Sequence, residues 1–112
     1  MNAATPYIFL IVAIFFGTAS NSFAKTADGF TLLIPTIVSA VTIILCMYAL
    51  SNVMKTIPIG ITYASFAGLT IIATTVVGII KYEQIPNFYT IIGLVLIIIG
   101  VLMVNLMNKF NI

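Results

Sequence analysis

Residues able to do chemistry are few in this 112-residue chain, and most of them cluster. The stretch Ala13 to Lys25 carries Gly17, Thr18, Ser20, Asn21 and Ser22 in otherwise apolar surroundings. Ala13, Gly17 and Asn21 recur every four residues, which puts them on one face of a helix. Such a face can wall a polar cavity. It can equally be a packing face, since small residues and interhelical hydrogen bonds are ordinary glue between membrane helices. Gly17 and Ser20 read first as packing residues. Asn21 stays open between the two, because an amide in lipid must find a partner. Further on, Tyr63 and Phe66 lie one helical turn apart, a pair able to hold an organic cation by its ring faces or simply to pack. Cys46 reads as a small packing residue. There is no His, no acidic pair at depth, no Ser/His arrangement and no phosphate loop. No enzyme, metal or cofactor is expected.

The elements that must position these residues follow from composition. Of the chain, 62% is hydrophobic and 5% charged, with four Lys and two acids; the mean hydropathy is +1.30. A soluble domain is about 25% charged, so six charges cannot cover a soluble fold. A net charge of +2 is too small and too dispersed for a phosphate-binding face, which excludes a nucleic-acid partner. One cysteine excludes an internal disulfide. What remains is an integral membrane protein.

The charges are Lys25, Asp28, Lys55, Lys81, Glu83 and Lys109, and uncharged runs lie between them at 1–24, 29–54, 56–80 and 84–108. A membrane-spanning helix needs about 20 apolar residues. The runs predict four spans at about 7–24, 32–54, 58–80 and 88–107, forming one all-α transmembrane domain over 1–112. Barrel strands alternate apolar and polar residues, and IIGLVLIIIGVLMV does not. Ser22-Phe23-Ala24 also resembles the end of a signal peptide, but no Lys or Arg precedes the apolar run. The connections are short: Asp28-Gly29 is a turn signal, and Pro58 and Pro86 fall near helix starts.

Orientation is evenly poised. Lys/Arg bias sets topology, and with four spans Lys55 and Lys109 share one side while Lys25 and Lys81 share the other. This balance suits an antiparallel dimer of dual topology. Many transporters surround a midplane site with inverted repeats, and such a dimer reaches the same symmetry with one chain. Gly93 and Gly100, seven apart in the aliphatic fourth run, are expected to face a dimer partner. Gly60, Ala64 and Gly68 form a second close-packing stripe. Asn105 reads as a residue of the membrane–water interface.

Three segments together resemble the small multidrug resistance family: KTADGFTLLIP, KTIPIGITYASFAG and the IIG…GVLMVNL run. The family's loop signature is matched by Lys25 and Gly29-Phe30-Thr31. Its third-helix signature, Pro-x-Gly-x-x-Tyr-Ala-x-Trp-x-Gly, is matched by Pro58, Gly60, Tyr63, Ala64 and Gly68, with Phe66 at the Trp position and Thr70 where a second Gly follows. The resemblance covers about residues 7–106. It implies an antiparallel dimer in the inner membrane of a bacterium or archaeon that exports quaternary ammonium compounds or other organic cations in exchange for protons. Paired subunits form heterodimers in one branch, some linked to polyamines, and distant relatives move lipid-linked sugars.

The resemblance also implies a membrane-embedded glutamate eight residues before the loop Lys, and in this chain that position is Gly17. Proton and cation compete for such a carboxylate, and intramembrane ionisable groups are functional by default. Four readings remain open: a transporter of cationic or amphipathic solutes without ordinary proton coupling; one subunit of a heterodimer whose partner brings the glutamate; a carrier of an uncharged or lipid-linked substrate; and a non-transporting protein that modulates a partner. Transport ranks first, with a cavity between the first three helices expected at Gly17, Asn21, Cys46, Tyr63 and Phe66.

Overall fold

The computed structural model describes residues 4–106. The helices are α1 (Thr5–Thr26), α2 (Leu33–Val53), α3 (Ile59–Tyr82) and α4 (Phe88–Leu106), and all four are long and apolar enough to cross a bilayer. Met107, the expected end of the fourth span, and Lys109 lie outside the described residues.

Local chemistry sets the helix ends. Pro6 sits in the first turn of α1, where its missing N–H removes a donor that would lack an intrahelical acceptor anyway. The helix runs on past the apolar segment to include Lys25 in its last turn, where a cation meets the negative end of the helix dipole. The link to α2 turns through three successive left-handed residues, Asp28, Gly29 and Phe30. Thr31 closes it by donating through its N–H to the Ala27 carbonyl at 3.0 Å and through Oγ1 to the Asp28 carbonyl at 2.7 Å. Pro58, in extended conformation, precedes α3. That helix also outruns its apolar segment, carrying Lys81 and Tyr82, and stops where Glu83 turns left-handed and the Gln84 N–H reaches the Gly78 carbonyl at 2.9 Å. Asn87 caps α4, its Oδ1 accepting from the Thr90 N–H at 2.8 Å.

The assembly is flat, 46 × 34 × 19 Å. Helix α1 is its centre, packed along α2 and also against α3; α4 touches only α3 among the described residues. The core joins Leu10 and Ala13 of α1, Cys46, Ala49, Leu50 and Val53 of α2, and Phe66 of α3. Around it the surface is apolar, with Ile11, Phe15, Ile34, Ile44 and Leu96 all exposed. That is the reverse of a soluble fold and the condition for lying in lipid. Three hydroxyls within the spans are turned back on their own helices: Thr36, Thr42 and Thr75 each donate to the carbonyl four residues earlier. No residue of α4 is buried.

Candidate functional site

Gly17 lies at the middle of α1 and is buried. A Cβ built on it would stand 2.8 Å from Cζ and 3.0 Å from Cε1 of Phe66, and 3.4 Å from Sγ of Cys46. The Phe66 ring thus lies directly over the Gly17 backbone, and the cysteine closes the contact from α2. Gly17 of α1, Cys46 of α2 and Phe66 of α3 are thus brought together where three helices meet. Only glycine allows this approach, since distances under 3.0 Å are essentially never seen at a real Cβ. Phe66 is 7% exposed. Tyr63 stands beside it, ring centroids 5.7 Å apart and planes at 51°, but is 52% exposed. Tyr63 therefore forms the open rim of an aromatic pair whose inner member covers Gly17.

Asn21 is not part of that group. Its Nδ2 donates to Thr74 Oγ1 at 3.1 Å, tying α1 to α3 one turn away. Ser20 and Ser39 form a reciprocal buried pair: Ser20 Oγ donates to the Ser39 carbonyl at 2.9 Å, and Ser39 Oγ to the Ser20 carbonyl at 3.1 Å. These polar side chains of α1 work as interhelical ties, the role that small polar residues commonly take in membranes. Thr70, which stands at the signature's second glycine, has a buried Oγ1 without a partner, and the structure offers no physical account of it.

Several connections join residues that are far apart in the sequence. Tyr82 lies beyond the expected third span, yet its hydroxyl sits 3.2 Å from Ser22 Oγ and 3.0 Å from Thr26 Oγ1, locking the ends of α1 and α3 together. The signal was present as Ser22 and Thr26, four apart on one face of α1, opposite an aromatic residue in the last turn of α3. Asn105, read as a membrane-interface residue, instead donates to Ser65 Oγ at 2.7 Å and to the Val101 carbonyl at 2.9 Å. In the small-residue stripe of α3, Gly68 meets Val101 and Ile97 of α4, while Gly60 has nothing within 4 Å. Gly93 and Gly100 likewise have nothing within 4 Å among the described residues.

Fold and site define a polytopic helical membrane protein with a hydrogen-bonded three-helix centre, a bare fourth helix and charges confined to helix ends and loops among the described residues. A family model described as "Small Multidrug Resistance protein" matches residues 5–97, and the chain belongs to that family. It is 39% identical over 100 residues to the quaternary ammonium compound-resistance protein QacH of Staphylococcus saprophyticus, covering 89% of this chain and 94% of the relative. With QacC of Staphylococcus aureus it is 42% identical over 101 residues, 90% of this chain and 94% of the relative. The multidrug resistance protein EbrA of Bacillus licheniformis is 29% identical over 100 residues, covering 89% and 95%.

Proposed function

We propose that this protein moves organic cations or amphipathic small molecules across the bacterial inner membrane as an antiparallel dimer, without exchanging protons through a first-helix carboxylate. The substrate class is supported by family membership and by relatives named for resistance to quaternary ammonium compounds. The absence of proton coupling is supported by one observation: the Phe66 ring occupies the space over Gly17 that an acidic side chain would need. A charge at mid-membrane costs several kcal/mol or more, about 2.5–3.5 on insertion scales, and no acidic residue stands there to offset it. Asp28 and Glu83 lie beyond the ends of α1 and α3. The substrate pathway would form between protomers, along the rim marked by Tyr63.

The test is solid-supported-membrane electrophysiology on the purified homodimer with a quaternary ammonium compound. Cation movement down its own gradient, unchanged by an imposed pH gradient, is expected. Robust proton-driven cation currents would overturn the proposal. The empty carboxylate position also favours a second reading, a heterodimer whose other subunit supplies the acid. In that case proton-coupled currents appear only after co-purification with the partner.

The dimer has its own test. The bare face of α4 and the open space at Gly93 and Gly100 suit close approach by a second helix, which supplies packing energy in lipid. Gly100→Leu is expected to weaken association, read as loss of energy transfer between labelled protomers in liposomes. Energy transfer unchanged from the parent protein would remove α4 from the interface.

A further inference from the structure

Lys25 and Lys81, from different helices, converge on one ring. Nζ of Lys25 lies 5.2 Å from the Tyr82 centroid and Nζ of Lys81 lies 5.5 Å from it. The ring is a fixed platform, because its hydroxyl is held by Ser22 and Thr26. Two ammonium groups attracted to one aromatic ring are thus concentrated at one end of the α1–α3 seam. No ion pair to Asp28 or Glu83 neutralises them among the described residues. Between Lys25 and Tyr82 opens a small hollow of about 50 Å³, walled also by Asn21, Thr74 and Gln84.

A second, larger hollow begins where the first ends. Ser22 and Val77 line both. The larger one holds about 520 Å³ and runs down the outer seam past Thr18, Ala73, Phe15 and Ile11. From Ser22 to Ile11 along α1 is about 17 Å at the helical rise per residue. One leaflet of the hydrocarbon core is about half of 30 Å deep. The groove therefore has the length of one leaflet, is apolar along that length, and ends at the depth of the headgroups in the hollow lined by Lys25, next to the Tyr82 ring that Lys81 also approaches.

We infer that the α1–α3 seam binds an anionic phospholipid, one acyl chain lying in the groove from Ile11 to Val77 and the phosphate held in the small hollow at Lys25, with Lys81 adding positive charge from beside the same Tyr82 ring. Charge complementarity and the continuity of the two hollows argue for a lipid over a second protein helix, because a helix of this apolar chain would leave both ammonium groups unanswered. On α1 the groove is lined by Ile11, Phe15, Thr18 and Ser22 and not by Gly17, so the inference does not rest on the transport proposal.

The experiment reconstitutes the full-length protein in nanodiscs containing equal phosphatidylglycerol and phosphatidylcholine, then counts retained lipids by native mass spectrometry. Retained phosphatidylglycerol is expected to exceed phosphatidylcholine. Each of Lys25→Gln and Lys81→Gln should reduce its retention about fivefold, the usual worth of one basic residue at an anionic membrane surface. The double variant should lose the preference altogether. A phosphatidylglycerol carrying a photoreactive group at the acyl terminus maps the groove in the unaltered protein, with labelling expected at Ile11, Phe15 or Ala73. Retention unchanged in the double variant, labelling confined to α4, or cross-linking of Phe15→Cys between protomers, which would put a second copy in the groove, each overturns the inference.

Discussion

Gly17→Glu introduced alone is expected to lower stability and to give no useful cation site, whereas Gly17→Glu combined with Phe66→Ala is expected to gain pH-dependent binding of a quaternary ammonium compound. The structural reason is the ring over the glycine. Any Cβ at position 17 falls 2.8 Å from Phe66 Cζ, so the first atom of the new side chain already forces the ring or α3 to move. Overpacking of this kind typically costs about 1–3 kcal/mol. Removing a helical glycine returns at most about 1 kcal/mol, so the balance is unfavourable before the carboxyl is counted. Truncating Phe66 empties the contested space and lets the carboxyl enter the region beside Tyr63. Proton and cation then compete for one charge. Apparent cation affinity should therefore rise with pH, by up to about tenfold per unit while the carboxyl titrates. Isothermal titration over several pH values, with Phe66→Ala alone as control, checks it. Equal stability of Gly17→Glu and the parent would show that Phe66 swings aside freely, and pH-independent binding by the double variant would show that the carboxyl does not reach the cation.

How legible this arrangement is in the sequence depends on how local its cause is. Helix number follows from Lys25, Lys55, Lys81 and Glu83, because the uncharged runs between them match the thickness of a bilayer. The ends are less legible. Lys25 and Lys81 bound the apolar segments but lie inside the last helical turns, since long cationic side chains reach water from within a helix. The site was legible only in register. Counting back from Lys25 locates Gly17, and the third-helix pattern locates Phe66, but nothing local says that residues 49 positions apart are in contact. That contact depends on the spacing of α1 and α3 and on a rotamer chosen by the surrounding core. The same limit applies to Asn105 and Tyr82. Each looks like a polar residue near a membrane surface, and each is claimed by a hydroxyl on another helix, because a polar group in or near lipid must be satisfied.

Gly68→Val is expected to detach α4 from α3, and Gly60→Val, eight residues earlier on the same stripe, to be nearly neutral. Helix α4 touches no other helix than α3 among the described residues, so its attachment rests on one seam. At the centre of that seam a Cβ on Gly68 would run into the Val101 side chain and stand 3.3 Å from Cγ2 of Ile97. The obstruction sits on β-branched residues, which have few rotamers to escape into. The remaining tie is the Asn105–Ser65 hydrogen bond, and interhelical bonds in membranes average only about 0.6 kcal/mol. Overpacking at about 1–3 kcal/mol exceeds it. Hydrophobic burial does not compensate, because lipid tails are as apolar as the α4 surface itself. At Gly60 nothing stands within 4 Å, so the same side chain meets open space. Disulfide trapping between cysteines placed at Ser65 and Asn105 reads the seam directly. Trapping should be efficient in the parent and Gly60→Val backgrounds and strongly reduced in Gly68→Val. Equal trapping in all three would mean that α4 is held by contacts other than this seam.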